Sequence, residues 1–348
     1  MAEKILAAEE VRAASGTHVS MKRKNIRRRW TPQNVAALCL ALIPLIGFIV
    51  FSGFPLIISL IALFCNVNLY DLSSISWNDF AGFKALFVNG WASQTFPMGG
   101  LGMTWYFGRS CLITLWVAST QFVTLLIALG ISVLLATRPK GQKVFQALYF
   151  VPYICSTVAI SIVFQWIFKE DATGVLNTML GKTPETAVRW LQDPSTITWC
   201  IVLVTIWQAP GYGIVMYKAA LVNVDPTQYE AAALDGANSW QKFWYVTLPG
   251  IRPTTFYLML TGVSAGLLTY DIAKLLVPLE SWGSIGGEGG MAFTLMRYVY
   301  YCINMQPTSM SNAPFLVSCA SIISWILFIV TAACSVVLFK RREKSMED

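Results

Sequence analysis

The sequence predicts an all-α integral membrane protein that crosses the bilayer with six helices. Of its 348 residues, 55% are hydrophobic and only 12% are charged, and the mean hydropathy is +0.57. Soluble domains usually carry about twice that share of charged residues. The chain also contains six apolar stretches, and about 20 helical residues suffice to cross the roughly 30 Å of hydrocarbon in a bilayer.

The six predicted spans account for most of the chain. Their bounds are 35–64, 110–136, 145–168, 197–220, 254–278 and 315–339. We therefore expect a basic N-terminal tail at 1–34, a six-helix membrane domain at 35–340 and a short C-terminal tail at 341–348. Prolines within or beside the spans predict kinks, and they are Pro44, Pro55, Pro152 and Pro210.

The basic residues predict the orientation of the chain. Most of the 25 Lys and Arg residues lie in the two tails, between spans two and three, or around the segment between spans four and five. Since basic loops stay in the cytoplasm, both termini and that segment are predicted to be cytoplasmic. Basic side chains at these positions are also attracted to anionic lipid headgroups. The pI of about 9.0 therefore does not indicate a nucleic-acid partner.

Three segments are predicted to lie on the outer side. Residues 66–109 are rich in aromatic side chains and poor in charges, which is typical of a loop whose rings lie at headgroup depth. Residues 169–196 form a second predicted loop and a plausible contact for an external partner, and 281–314 form a third.

The sequence lacks the residues that the common catalytic sites need. Its one histidine, His18, lies in the tail, so a metal site or a Ser-His triad within the membrane is not predicted. The sequence contains no GxxxxGK[ST] loop to bind ATP. Asp271 is the one carboxylate within a predicted span, which argues against a proton-coupled carrier. We expect no catalytic residue, cofactor or metal in this chain.

The polar segment from Asp225 to Pro253 carries its own helix signals. Asp225 can cap a helix that begins at Pro226, with Gln228 where a capping-box partner would reach back. Gly236 can end that helix in the left-handed conformation. We call Asp225–Pro253 the two-helix segment.

A second helix is predicted after this turn. Asn238 or Ser239 can cap a helix through 240–246, which Pro249 and Pro253 are predicted to interrupt. Composition alone leaves open an amphipathic loop that rests on the membrane surface.

The amino-acid sequence of the two-helix segment resembles a known motif. Glu230-Ala231-Ala232, Asp235-Gly236-Ala237 and Leu248-Pro249 resemble the EAA motif in the membrane subunits of ABC importers, specifically the carbohydrate-uptake permeases of the maltose-transporter type. The resemblance implies a type I ABC importer permease fold in a bacterial cell membrane. In that family the segment couples to a separate ATPase. The resemblance implies that the coupling residues of this chain are Glu230, Ala231, Ala232, Asp235, Gly236, Leu248 and Pro249.

The resemblance also implies an assembly. It consists of a second permease subunit, homologous or identical, two ATP-binding subunits that hold ATP and Mg²⁺, and an external solute-binding protein.

Polar side chains with helical spacing occur near the middle of spans three, four and five. Such groups cost free energy in lipid and should face a cavity or a neighbouring helix. On span three the stripe consists of Tyr153, Ser156 and Thr157. The predicted substrate path as a whole consists of Tyr153, Thr157, Thr205, Gln208, Tyr212, Thr261 and Ser264. Neutral hydroxyls, an amide and aromatic rings suit a sugar, whereas ordinary interhelical hydrogen bonds would explain any single Ser or Thr.

The resemblance assigns a partly different set of sugar-contacting positions. Aligned on Pro152-Tyr153, Trp207 and Arg252-Pro253, they fall on Tyr153, Thr157, Thr205, Ala209, Tyr212, Thr261 and Ala265. The two alanines remove polar contacts that a maltose-type site would use.

We therefore predict a permease subunit of an ATP-driven importer of a sugar or oligosaccharide, which works by alternating access. Two alternatives stay open: a secondary, ion-coupled carrier, and an ABC permease for a glycerol-phosphate-type or other polar solute. The phosphate ester would require Arg or Lys near the cavity. Gly262 and Gly266 in span five form a GxxxG pair that permits close approach of another helix.

Overall fold

A computed structural model describes residues 32–68, 71–88, 102–137, 139–277, 290–304 and 315–347. The predicted N-terminal tail lies outside the described residues up to position 31. In the described part of the chain, five helices are long and apolar enough to cross a membrane, or six when two helices that meet at a sharp bend count as one span. The predicted helical membrane class is confirmed. The chain divides into two compact units between Ile57 and Ile58.

The described part of the first unit is one apolar helix. It comprises Pro32–Phe48, the π-helical turn Ile49–Gly53 and the start of the helix Phe54–Ile61. In the π turn the N–H of Phe54 bonds to the carbonyl of Ile49. A proline ring crowds the carbonyl four residues before it, so this wider turn directly before Pro55 lets the helix continue.

The second unit contains the remaining spans. In chain order its further helices are Ala81–Phe87, Met103–Ala136, Gln142–Ile154, Thr157–Ile167, Val175–Met179, Ile197–Gln208, Pro210–Val222, Pro226–Leu234, Ser239–Lys242, the π-helical turn Phe243–Thr247, Leu248–Gly250, Arg252–Leu267, Asp271–Leu276, Leu295–Asn304 and Leu316–Glu347. Spans two, four, five and six are Met103–Ala136, Ile197–Val222, Arg252–Leu276 and Leu316–Arg342.

The segment predicted as a loop at 66–109 has more structure than expected. Strands Cys65–Asn68 and Asp71–Trp77 form an antiparallel hairpin, the helix Ala81–Phe87 follows, and span two begins at Met103. Rings that were expected at headgroup depth pack against one another, for example Trp77 against Phe80 with ring centroids 5.6 Å apart.

The span predicted at 145–168, in which Pro152 predicts a kink, is broken into two helices. Gln142–Ile154 and Thr157–Ile167 meet at 100°. Cys155 and Ser156 between them are extended, with ψ of 143° and 132°. Pro152 removes a backbone donor just before this point. The predicted stripe of Tyr153, Ser156 and Thr157 is therefore not one helical face.

Span two packs closely against spans four and five because small residues meet there. A Cβ added to Gly266 would lie 2.8 Å from the Cα of Ala118, and one added to Gly213 would lie 2.8 Å from the Cβ of Ala128. The close helix approach predicted from the GxxxG pair is therefore present at Gly266.

The helix Leu295–Asn304 was not predicted. It is hydrogen-bonded to the C-terminal end of span five, which is the end farther from the two-helix segment. Its fully buried Arg297 donates hydrogen bonds to the carbonyls of Ala273, Ala292 and Val277. Gln165 Nε2 donates to the carbonyl of Leu275 at 2.7 Å. Arg297 thus satisfies carbonyls at a helix C-terminus, where a cation is favourable.

Candidate functional site

A cavity of about 270 Å³ lies between spans two, three, four and five. Among the described residues that line it, none is charged. They are Gln121, Thr124, Leu125, Ala128, Tyr153, Ala209, Pro210, Tyr212, Gly213, Leu258, Thr261, Gly262 and Ala265.

Two tyrosines form an aromatic wall of this cavity. Tyr153 comes from the last turn before the break in span three, and Tyr212 from the first turn after Pro210. Their rings stack with centroids 5.7 Å apart and an interplanar angle of 29°. Gly211 permits this approach, since a Cβ there would lie 2.6 Å from the Cβ of Tyr153. Tyr212 Oη also lies 3.2 Å from Tyr257 Oη.

Three of the seven residues predicted for the substrate path line the cavity, namely Tyr153, Tyr212 and Thr261. Ala209 and Ala265, which the family resemblance assigned, line it as well. The Thr261 hydroxyl donates to the carbonyl of Tyr257 at 2.9 Å, which leaves its oxygen available as an acceptor.

The structure places the other four predicted residues away from the cavity lining. Thr205 is buried and donates to the carbonyl of Ile201 in its own helix at 2.8 Å. Ser264 donates to the carbonyl of Leu260 at 3.1 Å. The remaining two are Thr157, which follows the bend in span three, and Gln208.

Sequence reasoning missed the contribution of span two. Gln121 and Thr124 both line the cavity. The Thr124 hydroxyl donates to the backbone carbonyl of Gln121 at 2.8 Å and lies 3.4 Å from its Oε1. Their i, i+3 spacing in an apolar span is the same signal that indicated polar stripes on the other spans.

The first helix of the two-helix segment begins and ends where predicted, with Asp225 as its cap, while the predicted capping box with Gln228 is not formed. Asp225 accepts a hydrogen bond from the N–H of Thr227 at 2.9 Å, which lowers the pKa of its carboxyl. The helix Pro226–Leu234 ends before Gly236, which has φ +78°. The N–H of Ala237 then bonds to the carbonyl of Ala232 at 2.9 Å, a typical left-handed helix end.

The second helix is longer than predicted. Asn238 and Gln241 form a reciprocal capping box, each accepting from the other's backbone N–H at 2.8 Å. The helix then runs through 239–250, so the predicted interruption at Pro249 is wrong. The π-helical turn Phe243–Thr247 directly precedes Leu248 and Pro249 and accommodates the proline, as before Pro55.

A common core attaches the two-helix segment to the spans. Tyr229 Oη lies 2.9 Å from Thr247 Oγ1 and joins the two helices. Val246 and Ile251 pack with Tyr217 of span four and Leu135 of span two. The two-helix segment and the ends of spans two and four therefore share one packed core.

The residues that resemble the EAA signature divide into two sets. Glu230, Ala231, Asp235, Gly236 and Pro249 are exposed. Ala232 and Leu248 are half-buried and pack against the common core.

A bundle of spans around a cavity with no charged residue in its described lining, which shares a core with an exposed helical segment, is the architecture expected of a membrane permease. Residues 126–344 match the family described as binding-protein-dependent transport system inner membrane component. The chain belongs to this family, so it is a multi-pass transport subunit and not itself an enzyme.

Individual relatives agree with this assignment. The chain is similar to the probable ABC transporter permease protein YesP of Bacillus subtilis, at 25% identity over 328 residues that cover 94% of this chain and 95% of YesP. It is 32% identical over 184 residues to the arabinooligosaccharides transport system permease protein AraP of the same organism, covering 51% of this chain and 57% of AraP. It is 29% identical over 202 residues to the lactose transport system permease protein LacF of Rhizobium radiobacter, covering 58% of this chain and 63% of LacF.

The fold matches a solved structure. A bacterial ABC transporter involved in the import of the acidic polysaccharide alginate contains a chain with a TM-score of 0.68 and 20% identity, covering 88% of this chain and 96% of that one. The chain thus has the permease fold of an ABC importer.

Proposed function

We propose that this chain forms the cargo path of an ATP-driven carbohydrate importer and that its cavity binds a neutral sugar or oligosaccharide. The observation that carries the proposal is the stacked pair Tyr153 and Tyr212 in an uncharged cavity that also contains Gln121 and Thr261. Sugars combine apolar ring faces with hydroxyls that need paired donors and acceptors, which this lining provides.

The relatives support a carbohydrate cargo. AraP and LacF are named for arabinooligosaccharides and lactose. The structurally similar importer takes up acidic alginate, but an uncharged cavity would leave a carboxylate or phosphate without the ionic partner that buried charges need. A neutral cargo is therefore favoured over an acidic sugar or a phosphate ester.

The proposed assembly contains a second permease, two ATP-binding chains that hold ATP and Mg²⁺, and a solute-binding protein outside the cell. Both termini and the two-helix segment lie in the cytoplasm in this arrangement. ATP binding draws the paired ATPases together, and the two-helix segment transmits that movement to spans two and four. The cavity then opens alternately to the two sides.

Transport by the complete complex tests this function. Purified complex in lipid vesicles, supplied with its binding protein and ATP, is offered radiolabelled neutral oligosaccharides, oligouronates and glycerol phosphate. We expect saturable, ATP-dependent uptake of a neutral oligosaccharide. Uptake of only the charged solutes would contradict the cargo, and uptake driven by an ion gradient without ATP would contradict the mechanism.

Gln121→Leu is expected to raise the KM for cargo about threefold to tenfold, because one hydrogen bond contributes about 0.5–1.5 kcal/mol. Thr205→Val is the matched control, since that hydroxyl bonds within its own helix. We expect the control to change the KM less than twofold, measured by uptake in vesicles. Equal effects of the two substitutions would contradict the assigned cavity.

A further inference from the structure

The second helix of the two-helix segment carries a compact group of three aromatic rings, of which the two indoles are exposed and the phenyl ring is half-buried. Trp240, Phe243 and Trp244 lie at positions i, i+3 and i+4, with ring centroids 5.6 to 6.0 Å apart. Trp240 is 68% exposed and Trp244 is 47% exposed. We call these three residues the aromatic cluster. Exposed clusters of large apolar side chains usually mark a contact with a membrane or another protein.

Other residues of the same helix fix it to the protein. Val246 and Thr247 are buried. Thr247 bonds to Tyr229 of the first helix, and Val246 packs in the common core. The helix therefore has one side fixed to the protein and another side on which Trp240 and Trp244 are exposed.

The position of this helix, directly before the start of span five, indicates which surroundings the aromatic cluster contacts. It ends at Gly250, and span five begins at Arg252. Phe256, one turn into span five, contacts Phe339 with ring centroids 5.2 Å apart, and the Arg342 guanidinium lies 5.0 Å from the Phe256 ring. Arg342 is the last residue of span six. These ends of spans five and six thus lie at one level, which is marked by arginines and aromatic rings as at a bilayer surface.

We propose that the aromatic cluster lies in the lipid headgroup region and anchors the second helix of the two-helix segment to the membrane surface. Trp is enriched at this depth because its ring is largely apolar while its N–H can bond to water or headgroups. Lys242 within the helix and Arg252 directly after it complement anionic headgroups. The assignment of this contact to the cytoplasmic surface of the membrane rests on the proposed function.

The anchor separates the tasks of the two helices. The exposed first helix, Pro226–Leu234, is free to contact an ATPase, while the second helix stays at the membrane surface. A push on the first helix then rotates the segment about a fixed support, and the common core carries that movement into spans two and four. An aromatic cluster bound in a groove of a partner protein would move with the partner.

Site-specific photocrosslinking in the complete complex tests the anchor. Trp240→p-benzoylphenylalanine and Trp244→p-benzoylphenylalanine complexes are placed in vesicles of phosphatidylethanolamine and phosphatidylglycerol, irradiated, and analysed by intact-mass spectrometry. Ile329→p-benzoylphenylalanine is the matched positive control, because Ile329 is 61% exposed at the middle of span six.

We expect phospholipid adducts from positions 240 and 244 and from the control. Adducts to another protein chain in place of lipid, or an absence of lipid adducts where Ile329 gives them, would overturn the anchor. Because crosslinking needs neither cargo nor ATP, an error in the proposed cargo leaves this result unchanged.

Discussion

Gly262→Trp is expected to abolish uptake while the protein still folds and assembles. A Cβ at this position would lie 3.8 Å from the nearest atoms of Gln121 and Leu125, which is an ordinary contact. The indole would then occupy the cavity of about 270 Å³ and exclude cargo. We expect uptake to fall more than about tenfold, a loss of at least about 1.4 kcal/mol, when cargo accumulation is measured in vesicles.

Gly130→Trp is the matched control for this experiment. Gly130 is an exposed glycine of span two, and no atom of the described residues lies within 4 Å of a Cβ built there. The same indole placed outside the cavity should leave uptake within about twofold of the original protein. Normal uptake by Gly262→Trp, or equal loss in both variants, would show that cargo does not pass through this cavity.

Gly236→Val is expected to uncouple ATP hydrolysis from uptake. The φ of +78° at Gly236 costs an L-residue roughly 1–2 kcal/mol, and a β-branched side chain is particularly unfavourable there. The turn between the two helices must therefore change, and the exposed first helix loses its position. We expect membrane insertion and ATPase activity to persist while uptake falls more than about tenfold, measured together on the purified complex.

Gly181→Val controls for backbone strain itself. Gly181 has φ +64°, and open space surrounds its Cβ direction among the described residues, as at Gly236. It lies in the connection between spans three and four, at the end of the bundle away from the two-helix segment. Retained uptake in Gly181→Val and lost uptake in Gly236→Val is the expected pattern. Retained uptake in both would contradict the coupling role.

The features that sequence predicted well depend on local chemistry. Apolar length identified the spans, and the caps at Asp225 and Asn238 and the left-handed Gly236 were visible because each acts within a few residues. The predicted interruption of the second helix at Pro249 was wrong because a proline interrupts a helix only when the helix cannot widen. One side of the π-helical turn Phe243–Thr247 is packed through the buried Val246 and Thr247, and sequence spacing does not reveal this packing.

The cavity was harder to predict because its lining depends on how helices turn and pack. Thr205 and Tyr212 have similar sequence signals, yet Thr205 is buried against its own helix while Tyr212 lines the cavity. Thr157 does not line the cavity, since it follows the 100° bend at which span three changes direction. Gln121 and Thr124 have the i, i+3 spacing of a polar stripe, but they lie on span two, for which no polar stripe was predicted.

A crosslink from the first helix of the two-helix segment tests whether this segment contacts a separate ATPase. Leu234 is 91% exposed at the end of that helix, beside the turn at Gly236. Leu234→p-benzoylphenylalanine is irradiated in the complete complex in vesicles, and the adduct is identified by mass spectrometry. We expect an adduct with the ATP-binding chain. An adduct with lipid, or none with the ATP-binding chain, would contradict it.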